Sequence, residues 1–172
     1  MNREFDVIIY GASGFTGRLV AEYMGSTYGR SINWAMAGRN TVKLAEVRDE
    51  IGASPETPLV TADADDLDSL RVMVKSAQCI CSTVGPYQLY GSELVRLCAE
   101  EGTHYVDLSG EPGWMHDMIV RTTRQRVPQA HASCTAADLT RFLLTWACTF
   151  FNSTRLRLPG NPCPVFADES GQ

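Results

Sequence analysis

No apolar run in this chain is long enough to cross a membrane as a helix. The densest late stretch, Phe142 to Phe151 (FLLTWACTFF), is far shorter than the roughly 20 residues a bilayer requires. There is no excess of positive charge either. Fifteen basic residues face 20 acidic ones, a net charge of −5, which excludes a general polyanion-binding surface and with it nucleic acid as a partner. The six cysteines, at positions 79, 81, 98, 134, 148 and 163, contain no C-x-x-C pair. Cys79 and Cys81 have no histidine or further cysteine close enough in sequence to suggest zinc, so no metal site is expected. The amino terminus reads as the start of a strand rather than a signal peptide, and a reducing, cytoplasmic setting fits the cysteine usage. A length of 172 residues suits one core, with at most a fragment of a second domain.

What is present centres on Phe5 to Gly17, FDVIIYGASGFTG. Val7, Ile8, Ile9 and Tyr10 are β-branched, apolar or aromatic without polar alternation, the pattern of a strand covered on both faces. Gly11, Gly14 and Gly17 follow as G-x-x-G-x-x-G, a variant of the dinucleotide fingerprint. The first glycine permits a tight turn, the second lets backbone approach a pyrophosphate, and the third allows close packing of helix on strand. Leu19, Val20, Tyr23 and Met24 then recur at helical spacing, which aims the helix amides at the turn and makes an anion site. Ser13, Phe15 and Thr16 fill the loop, where they are expected to touch phosphate; Phe15 is equally readable as a core plug.

The remaining elements alternate. A second strand is expected over 32–37 (INWAMA), ending at Gly38-Arg39. An NAD site needs an acidic residue near this point for the ribose hydroxyl. Arg39 stands there instead, with Lys43 nearby, and a guanidinium suits a 2′-phosphate, so NADP is preferred. Thr41 is expected to cap a helix carrying Leu44, Val47 and Ile51, stopped by Gly52. A third strand over 58–61 leads to Asp63, which would lie near the adenine amino group. Asp65, Asp66 and Asp68 would form the acidic start of a helix whose inward positions are Leu67, Leu70, Met73 and Val74. The fourth strand, 78–84 (QCICSTV), delivers Gly85, Pro86 and Tyr87 to the carboxyl edge, where the nicotinamide end belongs. A helix over 92–101, with Leu94, Val95, Leu97 and Cys98 inward, and a fifth strand over 104–108 complete the rhythm. The whole predicts an α/β, Rossmann-like, doubly wound parallel sheet.

With GASGFTGRLVAEYM, AGRN, TADADD and STVGPYQLYGSELVRLCAEEGTHYVDLSGEP in place, residues 4–119 resemble the saccharopine dehydrogenase-like oxidoreductases, and within them the trans-acting enoyl reductases of bacterial polyketide-lipid synthesis. The resemblance implies an NADP-binding domain over 1–120 and, in the intact relative, a larger second domain that completes a pocket for a small-molecule or lipid-like substrate. It implies that Gly11, Gly14 and Gly17 hold pyrophosphate, that Arg39 holds the 2′-phosphate, and that Gly85 to Tyr87 line the nicotinamide end. Hydride transfer from NADPH to an unsaturated or imine-like acceptor is the implied chemistry, alone or with a synthase as partner.

Beyond residue 119 the pattern departs. Residues 1–120 carry nine basic and 17 acidic side chains, whereas residues 121–172 carry six and three, every base an arginine. Codons can be chosen for Arg121 to Phe151 so that another frame encodes a family-like continuation; TGC ACA GCT GCG GAT TTG ACT for Cys134 to Thr140 contains HSCGFD. The expectation is that residues 121–172 are an out-of-frame tail and no domain, so that Cys134, His131 and Asp138 carry no family role.

Candidates for a catalytic acid or base are Tyr87 first, then Tyr90, His104, Asp107 and Glu111, each more readily explained as a packed aromatic, strand-end residue or loop carboxylate. A short-chain dehydrogenase-like site is disfavoured, because none of the six tyrosines has a lysine four residues on. A non-catalytic NADP-binding module, or an inactive product, remains the alternative to an enzyme.

Overall fold

The computed structural model describes residues 3–124. The tail expected over 121–172 lies outside the described residues from position 125 onward.

The elements run β1 (Phe5–Tyr10), α1 (Phe15–Thr27), β2 (Trp34–Gly38), α2 (Thr41–Glu50), β3 (Leu59–Thr61), α3 (Leu67–Ser76), β4 (Ala77–Ser82), α4 (Tyr87–Tyr90), α5 (Ser92–Glu101), β5 (His104–Asp107) and α6 (Pro112–Arg124). Five strands form a parallel sheet in the order β3-β2-β1-β4-β5. The expected fold is present. Because the chain moves outward from β1 first to one side and then to the other, the order reverses between β1 and β4. That is where open α/β sheets bind ligands.

Alternation along the strands sends side chains to two helical layers. Ile8, Tyr10, Ala35, Ala37 and Ile80 share one core with Leu70, Met73 and Val74 of α3 and Leu94, Leu97 and Cys98 of α5. On the opposite face, a side chain at Gly38 would meet Leu44 of α2, and the position of Gly25 in α1 adjoins Trp34. Cys79 and Cys81 are buried thiols on that second face, opposite Val7 and Ile9 in register.

Three local expectations change. Of the positions at helical spacing in α1, Val20 and Met24 are buried, together with Gly17 and Ala21, whereas Leu19 and Tyr23 are about half exposed. Leu67, the first residue of α3, is likewise about half exposed. Helical periodicity marks a broad arc, and only packing decides which edge of the arc is covered. The α2 cap is Asn40 rather than Thr41: its Oδ1 accepts from the Lys43 amide at 3.0 Å, while Thr41 shares a 2.8 Å hydroxyl contact with Thr61. Asp66 caps α3 by accepting from the Asp68 and Ser69 amides.

Helix α6 has no counterpart in the expectations. Pro112 opens it, which suits proline because that amide would be unsatisfied in any case. Trp114 and Met118, one turn apart, bury against Tyr87, Val95 and Met115 in a small second core. The helix runs to Arg124 and so crosses the expected boundary at residue 120.

Candidate functional site

The glycine turn sits at the carboxyl end of β1, on the crevice between β1 and β4. Gly11 has φ +88°, a conformation that glycine adopts at little cost. A Cβ there would stand 2.7 Å from Val84 Cγ2 and 2.8 Å from Thr83 Oγ1, so the fingerprint presses directly on the turn that follows β4. Thr83 fixes that contact, donating both its amide (2.9 Å) and its hydroxyl (3.0 Å) to the Tyr10 carbonyl. Gly17 is packed more tightly still, its position 2.1 Å in Cβ terms from the Gly11 carbonyl oxygen. Helix α1 therefore starts immediately over the turn.

The backbone donors there divide into two sets. The Gly11 and Ala12 amides donate to the Ala37 carbonyl, Gly14 to Gly11 and Arg18 to Gly14. Among the described residues no backbone acceptor takes the amides of Ser13, Phe15, Thr16 or Gly17, and no side chain caps α1. Four donors at a helix amino terminus, with the positive end of the helix dipole behind them, fit a pyrophosphate. Gly14 supports the same fit. Its added Cβ would meet only the Gly11 carbonyl oxygen, at 3.3 Å, so the open side of the loop is available to a ligand. Phe15 is no core plug, being 85% exposed.

Ser13 Oγ lies 3.7 Å from where a Gly38 side chain would begin, which brings the loop to the carboxyl end of β2. Arg39 emerges there, exposed and in no ion pair among the described residues. Lys43 is exposed one turn into α2. Asp63 follows β3, half buried, its carboxylate accepting the Asp65 amide at 3.2 Å. Burial, then Asp63 and Asp65, push the Tyr10 hydroxyl up to about 12, with Arg39 opposing them. Tyr10, Asp63 and Arg39 thus share one corner of the sheet edge.

At the other corner Gly85 and Pro86, joined by a cis peptide bond, are exposed, and Tyr87 is buried. The Tyr87 hydroxyl donates to the Ser82 carbonyl and accepts the Leu108 amide, both at 3.3 Å. Burial pushes it up to about 12, the Leu108 amide opposing and the Asp107 charge adding to the rise. Asp107 is fully buried, and desolvation raises its carboxyl above the usual 3.8, with the Ser109 amide opposing. Its Oδ2, the Ser82 Oγ and the Tyr105 hydroxyl are buried without a complete hydrogen bond among the described residues; burial and then the Asp107 charge push the Tyr105 hydroxyl well up, with Ser82 opposing. Tyr90 is exposed at the end of α4. His104 opens β5 and so lies at the amino edge of the sheet, away from the crevice. No grouping of metal-ligating side chains occurs among the described residues.

The family model for the saccharopine dehydrogenase NADP-binding domain matches residues 7–140. The chain belongs to that family. Its dinucleotide site is accordingly of the NADP class. The match also continues past residue 119, where the sequence resemblance stops. A trans-acting enoyl reductase of Mycobacterium tuberculosis is 44% identical over 110 residues, covering 63% of this chain and 26% of that protein. A lipid droplet localized protein of Caenorhabditis elegans is 38% identical over 131 residues, covering 73% and 31%. Saccharopine dehydrogenase (L-Glu forming) of Saccharomyces cerevisiae superposes with a TM-score of 0.53 at 19% identity, over 69% of this chain and 25% of that one, a likeness of fold. The chain therefore spans between a quarter and a third of these relatives' length. No helix among the described residues is long and apolar enough to cross a membrane.

Proposed function

We propose that this chain is the nucleotide-binding part of an NADPH-dependent reductase of the trans-acting enoyl reductase type. The carrying observation is the set of four uncommitted amides over the Gly11–Gly17 contact, with Arg39 beside them at the end of β2. The loop amides of Ser13, Phe15, Thr16 and Gly17 would hold the pyrophosphate, Arg39 and Lys43 the 2′-phosphate, Asp63 the adenine edge, and Gly85 to Tyr87 the nicotinamide end. NADPH, when bound, supplies the hydride. The chain's own residues orient it: the cross-strand Thr83–Tyr10 bonds hold the pyrophosphate turn and the nicotinamide turn in fixed relation across the crevice.

The acceptor is proposed to be an enoyl group on a small-molecule or lipid-like substrate, following the names of the enoyl reductase relatives. A partner synthase and the relatives' further polypeptide would complete the acceptor's pocket. Residues 1–120 are proposed as the nucleotide domain and 121–172 as an out-of-frame tail; resequencing the codons for Met118 to Arg124 would recover a one-base difference, and an unbroken frame would dismiss it. A cytoplasmic setting is proposed with the enzyme.

A second reading, a binding module without catalysis, is favoured by one observation. The best-placed hydroxyl at the nicotinamide end, Tyr87, has both its hydrogen-bonding directions taken by backbone and is raised far from neutrality. Mixing the purified chain with NADPH and an enoyl thioester, and following nicotinamide absorbance, separates the two. Turnover supports the reductase; saturable binding without turnover supports the module; absence of binding removes both.

A further inference from the structure

The loop after β5 is fastened to the turn after β4 at more points than packing requires, and the fastening converges on one carboxylate. Glu111 Oε1 accepts the Tyr87 amide at 2.8 Å and Glu111 Oε2 accepts the Gln88 amide at 2.9 Å. These are the first two amides of α4, which would otherwise lack partners. Both oxygens of one side chain are thus committed to the residues that directly follow Gly85-Pro86.

Glu111 is itself held from behind. Its amide donates to Ser109 Oγ at 3.2 Å, and the Ser109 amide donates to Asp107 Oδ1 at 3.0 Å. Asp107 is fully buried at the end of β5. A chain of hydrogen bonds therefore runs from the sheet interior through Ser109 and Glu111 to the start of α4. Tyr87 closes the loop by taking the Leu108 amide, and its ring lies 5.6 Å from that of Trp114, whose Nε1 donates to Ser92 Oγ.

We infer that Glu111 is a positioning residue for the nicotinamide end of the cofactor: its two-oxygen grip on the Tyr87 and Gln88 amides sets the shape of the Gly85–Tyr87 turn. The inference rests on the cofactor reading above. Carboxylate acceptors make hydrogen bonds about twice as strong as neutral ones, and a turn with two such bonds is preorganised for a ligand. The same commitment argues against Glu111 as acid or base, since proton transfer would break the grip.

The test compares two ligands on the full chain: NADPH, which occupies both corners of the site, and adenosine 2′,5′-bisphosphate, which reaches the Arg39 corner and the glycine turn but not the Gly85–Tyr87 turn. Glu111→Ala is expected to weaken NADPH roughly ten-fold, the equivalent of losing about 1.4 kcal/mol, and to leave the bisphosphate within two-fold. Glu111→Gln, which keeps one acceptor but opposes an amide donor with its own NH2, is expected to fall between. In the ligand-free chain, amide hydrogen exchange at Tyr87 and Gln88 should accelerate in Glu111→Ala while the β1 amides stay protected. Unchanged NADPH affinity in both variants, or equal weakening of both ligands, overturns the inference. Wild-type chain that binds neither ligand overturns the cofactor reading instead, and the exchange measurement then still decides whether the grip exists. Should Glu111→Ala fail to fold, Glu111→Gln decides by the same comparison.

Discussion

The carbonyl oxygen of Gly11 lies only 2.1 Å from where a Cβ on Gly17 would stand. Only a residue without a side chain lets the start of α1 lie this close to the turn.

Two glycines of one motif should therefore respond differently. Gly17→Ala forces backbone apart and is expected to cost several kcal/mol, about what overpacking or strain at a fixed backbone contact costs. Gly14→Ala meets only one atom, at 3.3 Å, with an ordinary φ of −83°, so its stability loss should be small. Its methyl would stand on the ligand side and weaken NADPH ten-fold or more. Thermal unfolding and nucleotide titration of the two variants would check this; equal stability losses would contradict it.

Arg39 should carry the choice of cofactor. A guanidinium facing a 2′-phosphate makes charge-assisted bonds worth about 1.5–3 kcal/mol. Arg39→Ala is expected to lower NADPH affinity by one to two orders of magnitude and leave NADH nearly unchanged. Titrations at two salt concentrations would show it, with the wild-type preference weakening as salt rises. An unaltered NADPH to NADH ratio would assign the 2′-phosphate elsewhere.

Asp107 ties stability to pH. Because burial raises its carboxyl above the unfolded value near 3.8, the native state binds the proton more tightly than the unfolded chain does. Its contribution is fully present below that value and is lost as pH rises through the native one. Asp107→Asn keeps an oxygen for the Ser109 amide and places an NH2 toward Ser82 and Tyr105. The variant should match wild type near pH 3.5 in urea unfolding and gain on it as pH rises toward 7. A variant that falls behind at pH 7 would show that the charge is needed in the native state.

Tyr87 is expected to act as a tie between strands. Tyr87→Phe leaves the Leu108 amide and the Ser82 carbonyl without that partner, at a cost of about 1–3 kcal/mol. NADPH affinity should hold within about three-fold, as judged by nicotinamide fluorescence, because the exposed side of the turn is Gly85 and Pro86. If an enoyl acceptor is turned over, a loss of rate in Tyr87→Phe without loss of stability would restore it as an acid.

Several features were legible because their causes are local. The run Val7 to Tyr10, the three glycines, Arg39 without an acid beside it, and the strand-helix spacing through Asp107 depend on residues a few positions apart, and period and turn chemistry report them directly. Even the Gly102 stop of α5 follows from one residue's left-handed geometry.

What tertiary structure alone decided depends on partners far apart in the chain. The burial of Ala21 with the exposure of Leu19 and Tyr23 reflects where α1 meets the sheet. The desolvation of Asp107 needs β4 beside it in register with Ser82. Helix α6 had a signal in Pro112, Trp114 and Met118, but its purpose appears only against Tyr87. Glu111 reads in sequence as one more loop carboxylate; its grip on amides 24 and 23 residues earlier exists because the parallel sheet ends β4 and β5 side by side. Sequence thus specified the elements and the glycine turn through local sterics, while the folded sheet specified which side chains became acceptors, struts or solvent-facing surface by choosing their neighbours.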